Sequence, residues 1–153
     1  MATSTEVAIS GASVPRLPRR DLEGFVRLAM RQLRKAGAVP TPVSEISIAF
    51  VDDRVMRRLN REFRNRPTTT DVLTFDFDPA DASPGASGHP LGEIVISVEQ
   101  ARRQARRERH SLATEVRYLV LHGLIHALGF DHETDSGQMD ELETAVRRRL
   151  GLD

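Results

Sequence analysis

The chain contains no cysteine. That excludes disulfides, a thiolate-bound zinc and thiol catalysis, and leaves histidine and carboxylate as the strong metal ligands. Nor is there an excess of charge of either sign: Lys+Arg and Asp+Glu are 22 each. No bulk field draws the chain to nucleic acid, so an anion site has to come from local clustering. Lysine is nearly missing, Lys35 being the only one. Arginine, which suits bidentate phosphate contacts, carries the positive charge. No apolar run approaches the roughly 20 residues that span a bilayer. The start, MATSTEVAIS, has no basic region followed by an apolar stretch. Neither a membrane anchor nor a signal peptide is expected, and the cytoplasm is the default location.

What is present is ordinary: 153 residues, 39% hydrophobic and 29% charged. This suits one domain, 1–153, with a core of its own. Residues 1–17 are expected to be partly flexible, with a short strand at EVAIS (6–10). Pro18 opens a helix carrying Leu22, Phe25, Val26, Ala29 and Leu33 inward, and Gly37 stops it. SEISIAF (44–50) alternates as a strand does, and Asp52 or Asp53 then caps a helix with Val55, Met56, Leu59 and Phe63 on its buried side. TTTDVLTFDFD (68–78) reads as a strand with one wet face, residues 78–90 as a mobile Pro/Gly/Ser/Asp loop, and LGEIVISV (91–98) as a buried strand. An arginine-rich helix (99–110) follows. Ser111 caps a helix apolar on every side, which marks it as central. A last helix begins at Asp135 or Ser136, with Met139, Leu142, Val146 and Leu150 inward and Gly151 after it. This order predicts an α/β (α+β) domain with a small mixed sheet and about five helices.

HGLIHALGFDH (122–132) holds three of the five histidines, His122, His126 and His132. Residues four apart on a helix are neighbours, roughly 5–6 Å between Cβ atoms, so His122 and His126 can grip one ion. Gly129 ends the helix, and the chain turns to return His132 as a third ligand. Three imidazoles leave a fourth position for water, the plan of a catalytic zinc site. A lone histidine on an apolar helix is more often a hydrogen-bonded core residue, but burying three without a partner would leave costly unmet polar groups. The spacing is that of the zinc endopeptidases whose motif begins H-E-x-x-H, and the ligand arrangement is metzincin-like. Gly123 stands where their glutamate would. Without that glutamate nothing delivers a proton to a leaving amine, which argues against peptide hydrolysis. A phosphodiester is anionic and gains from a metal's charge. Glycine is also expected to clear room beside the metal for a bulky substrate.

LVLHGLIHALGFDHETD strongly resembles the YbeY family of bacterial rRNA maturation factors, whose signature is H-G-x-L-H-x-x-G-[YF]-D-H. LNREFRNRPTTTDVLTFDF (59–77), LGEIVIS (91–97) and the last helix with Met139 and Glu143 are similar to further blocks of that family. The resemblance implies a single-strand-specific, metal-dependent endoribonuclease. It further implies a role in 16S rRNA 3′-end maturation and in quality control of 70S ribosomes, with the small subunit and its proteins as partners. It implies one Zn2+ or other divalent transition metal on His122, His126 and His132, and a functional arginine at Arg64. The register departs between Pro67 and Asp71, where RNRPTTTDVL replaces the family's R-G-x-x-x-P-T-D-V-L.

Arg64 is then expected to clamp a phosphate beside the metal, with a wet surface arginine as the plainer alternative. Asp71 and Asp131 are candidates to orient a ligand histidine or Arg64, or else to tie down turns. Glu93 is a weaker general-base candidate. Arg102, Arg103, Arg106 and Arg107 could follow an RNA backbone, although a solvated helix face explains them better. His89 and His110 are not expected to be ligands. Two other functions fit the same residues: a non-catalytic ribosome-assembly factor with a structural metal, or a metallohydrolase for peptides or other small substrates.

Overall fold

The computed structural model describes residues 5–64, 72–75, 88–130 and 135–152, apart from the side chains of residues 63 and 64. Along the chain come β1 (Glu6–Gly11), α1 (Arg19–Lys35), β2 (Val43–Val51), α2 (Asp53–Arg64), β3 (Val72–Phe75), β4 (His89–Ser97), α3 (Val98–Glu108), α4 (Leu112–Ala127) and α5 (Gln138–Leu150). The fold is α/β, as expected. The strands form one mixed sheet in the order β1-β2-β4-β3. β1 and β4 run parallel to β2, and β3 pairs antiparallel with β4 at the edge. Parallel neighbours need a crossover, which α1 supplies between β1 and β2.

Alternation along the strands assigns the two faces. Ile46, Ile48 and Phe50 of β2 and Ile94 and Ile96 of β4 join one large core with Leu22, Val26, Leu33, Val120, Leu124 and Met139. That core holds α1, α4 and α5 on a single face. The other face is thinner, with Met56 of α2 meeting Leu73 and Val95. No helix among the described residues is long and apolar enough to cross a membrane.

Side-chain caps set several helix starts. Asp52 accepts from the Val55 amide at 2.8 Å. Ser97 accepts from the Gln100 amide at 3.2 Å. Asp135 takes the amides of Gly137 and Met139, both at 2.9 Å. Asp52 is the cap expected before α2, while α5, expected to start at Asp135 or Ser136, starts at Gln138 after an N-cap at Gly137, its entry turn tied by Asp135. One boundary moves: β4 begins at His89, not Leu91, because His89 pairs with Val43. The rest of the loop expected at 78–90, up to residue 87, lies outside the described residues, as do 68–71 and 76–78 of the strand expected at 68–78.

Ser111 caps α4 by accepting from the Thr114 amide at 3.0 Å. Ser111→Ala is expected to lower stability by about 1 kcal/mol and Ser111→Gly by only a few tenths. Denaturant unfolding at constant m checks this; equal losses would show that the cap bond is not what counts.

Candidate metal centre

α4 is buried on every side, at Ala113, Val116, Leu119, Val120, Leu121, Gly123, Leu124 and Ile125. It packs against α1, α3, α5, β3 and β4, so its position is fixed from all directions. Near its C-terminal end, His122 and His126 are half-buried on successive turns. Their ring centroids are 4.7 Å apart and the rings cross at 75°. Two imidazoles this close, on one face of a rigid helix, suit a shared ion. Leu128 caps the helix, and Gly129 then takes φ +103°, with its amide bonded to the His126 carbonyl at 2.9 Å. That left-handed step is the turn expected at Gly129, where a side chain would be strained.

Glu143 of α5 comes to the same place. Its Oε2 lies 3.4 Å from His122 Nδ1, and its Oε1 accepts from the Arg147 guanidinium at 3.1 Å. Burial pushes the Glu143 carboxyl up, but the bond and charge of His122 and the Arg147 charge outweigh it. The net pKa lies below the usual carboxylate value. Arg147 in turn sits 4.4 Å over the Tyr118 ring, and Tyr118 donates to the Leu152 carbonyl at 2.5 Å. An open cavity of about 450 Å³ lies beside this group, lined by Val72, Gln104, Glu108, Leu119 and His122 among others. In the sequence Glu143 is only part of a matching block. The signal for more is its place between Met139 and Val146 on the inward stripe of α5, where a buried carboxylate needs partners.

Gly123 does not make room for substrate, contrary to expectation. It is buried against the sheet, and a Cβ built there would lie 2.8 Å from Ile94 Cγ2. The space a glutamate needs is already filled by β4. The glycine is there because helix and strand approach closely.

Of the other expected residues, Glu93 and the arginines of α3 are described. Glu93 is exposed and alternates with Ile94 along β4. Ile94 meets α4, so Glu93 falls on the opposite face with Val95 and Ser97, the side of α2. It is not brought to His122 and His126. Arg64 ends α2, and its side chain lies outside the described residues, as do Asp71, Asp131 and His132. Among the described residues no three ligating groups gather; two of the three expected ligands are in this set. Arg102, Arg103, Arg106 and Arg107 are exposed on α3, with Arg103 bonded to Asp53 and Gln100. His89 bonds Thr41 at 2.7 Å and His110 bonds Glu115 at 2.6 Å.

A family model described as Endoribonuclease YbeY matches residues 12–151. A Nautilia profundicola protein named Endoribonuclease YbeY is 44% identical over 108 residues, 71% of this chain and 73% of that one. A Bordetella pertussis protein of the same name is 36% identical over 155 residues, 99% of this chain and 96% of that one. Among solved structures, the solution structure of TM1509 from Thermotoga maritima superposes with a TM-score of 0.61 at 23% identity. It covers 94% of this chain and 88% of that one, a likeness of fold.

Proposed function

The chain belongs to the endoribonuclease YbeY family, and we propose from that premise that it is a metal-dependent endoribonuclease cutting single-stranded RNA. The observation that carries the metal is the pair His122 and His126, rings 4.7 Å apart on successive turns of a helix buried all round. His132 is the third ligand of this reading. All-imidazole ligation suits one zinc per chain, or another divalent transition metal. When bound, the metal supplies positive charge that offsets the phosphate oxygens and a Lewis acid for hydrolysis. The chain's own part is placement. α4 holds two imidazoles rigidly, and Glu143 engages the first of them from α5. Arg64, at the end of α2, binds the phosphate that is cut. The substrate is the extended 3′ end of 16S rRNA, met on the small ribosomal subunit and its proteins in the cytoplasm, and the same cut serves quality control of 70S ribosomes.

Three preparations test this on labelled RNA, single-stranded and duplex: zinc-loaded protein, chelator-stripped protein, and zinc-loaded Arg64→Ala. The loaded wild type is expected to cut the single strand and spare the duplex. Stripping is expected to abolish cutting, and zinc to restore it. Arg64→Ala is expected to lose about a hundredfold or more in kcat, as when one charge-stabilising donor is removed. Cutting that survives stripping would defeat the metal reading, and full activity in Arg64→Ala would return that arginine to the surface.

A further inference from the structure

Glu143 is a buried acid on an otherwise apolar stripe. Its side chain is 11% exposed, and it follows Met139 by one turn and precedes Val146 by three residues. A carboxylate in such a place is costly unless each oxygen is engaged. One oxygen is engaged by Arg147, at 3.1 Å. Arg147 is held in turn by the face of Tyr118, and the Tyr118 hydroxyl is tied to the backbone at Leu152. The second oxygen faces His122 Nδ1 at 3.4 Å. Arg147 alone would neutralise the charge, and a solvent-facing position would have served it more cheaply. What the buried position adds is the aim at His122.

We propose that Glu143 is a positioning residue for the metal: it receives the Nδ1–H of His122 and so presents Nε2 as the ligating nitrogen, with Arg147 and Tyr118 holding Glu143 in line. A free imidazole in water prefers the proton on Nε2, the wrong tautomer for ligation through that atom. A carboxylate at Nδ1 reverses the preference before the metal arrives, fixes the ring's rotation and raises the basicity of the ligand. The inference rests on the metal reading above. It goes beyond that reading by assigning a function to a residue on a different helix from His122 and His126.

Zinc affinity, by competition with a chromophoric chelator, and the His122 tautomer, by imidazole 15N shifts in the zinc-free protein, are measured on the full chain. The variants are Glu143→Ala, Glu143→Gln and Ser111→Ala. Glu143→Ala is expected to weaken zinc binding about 10- to 100-fold and to move His122 from Nδ1–H toward Nε2–H. Glu143→Gln keeps an accepting oxygen without the charge and is expected to lose about tenfold. Ser111→Ala removes only the cap of α4. It should lower the melting temperature while leaving affinity and tautomer alone, which separates positioning from a general loss of stability. A folded Glu143→Ala with wild-type affinity and tautomer overturns the inference and leaves the metal reading standing. Should Glu143→Ala not fold, Glu143→Gln decides in the same way. A wild type that binds no zinc overturns the metal reading and the inference together.

Discussion

His126→Ala is expected to cut single-stranded RNA at least about a thousandfold more slowly than the wild type. The metal's charge stabilisation is worth several kcal/mol, and each 1.36 kcal/mol is a factor of ten, so losing most of it costs about three decades. The change should leave the fold in place. His126 is half-buried near the end of α4, while the large core residues of that helix lie elsewhere on its surface. The measurement is single-turnover cleavage of RNA carrying the extended 16S 3′ end, by both proteins purified identically, with circular dichroism on the zinc-free forms. Equal cutting by both would identify a contaminating nuclease. No cutting by either, on free RNA and on whole ribosomes, would move the assembly-factor function ahead.

Gly123→Glu, which restores the peptidase glutamate, is expected to destroy the fold rather than create a peptidase. The Cβ alone would lie 2.8 Å from Ile94 Cγ2, and overpacking of that kind costs about 1–3 kcal/mol. In Gly123→Ala the better helix propensity of alanine returns up to about 1 kcal/mol. Glutamate adds a carboxylate buried against the sheet with no partner built for it, at several kcal/mol more. That is a large share of the roughly 5–15 kcal/mol that holds a domain together. The close approach itself is tested by a double-mutant cycle. Ile94→Ala removes the offending methyl and by itself costs about 2–5 kcal/mol. Gly123→Ala should then cost less in that background than in the wild type. Strict additivity would show that Ile94 is not what excludes a side chain at residue 123, and measurable peptidase activity in a folded Gly123→Glu would reverse the reasoning.

Much of this was legible without coordinates because each cue is local. Alternation in SEISIAF, the cap at Ser111, the stop at Gly129 and the all-round apolarity of α4 depend on neighbours a few residues away, and they became β2, the start and end of α4, and its burial. The i, i+4 spacing of His122 and His126 likewise fixed their closeness. What failed depended on contacts distant in sequence. Gly123 looks like open space until Ile94, on β4, is seen filling it. Glu93 looks available until the strand's alternation is referred to the side on which α4 packs. The partnership of His122 with Glu143 spans 21 residues and two helices, and only the apolar stripe around Glu143 hinted that the carboxylate must have a purpose.

The contact of Gly123 with Ile94 also bears on descent. A helix with a side chain at 123 and a sheet with isoleucine at 94 exclude one another at this spacing. A chain drifting between the peptidase-like pattern and this one therefore faces a valley: either change made first is penalised, and only the two together, or a shift of the whole helix, restore a fit. Such a pair acts as a ratchet. With α4 settled onto β4 this closely, a side chain at 123 is hard to gain, so a general base is expected to arise elsewhere in the chain and not at that residue.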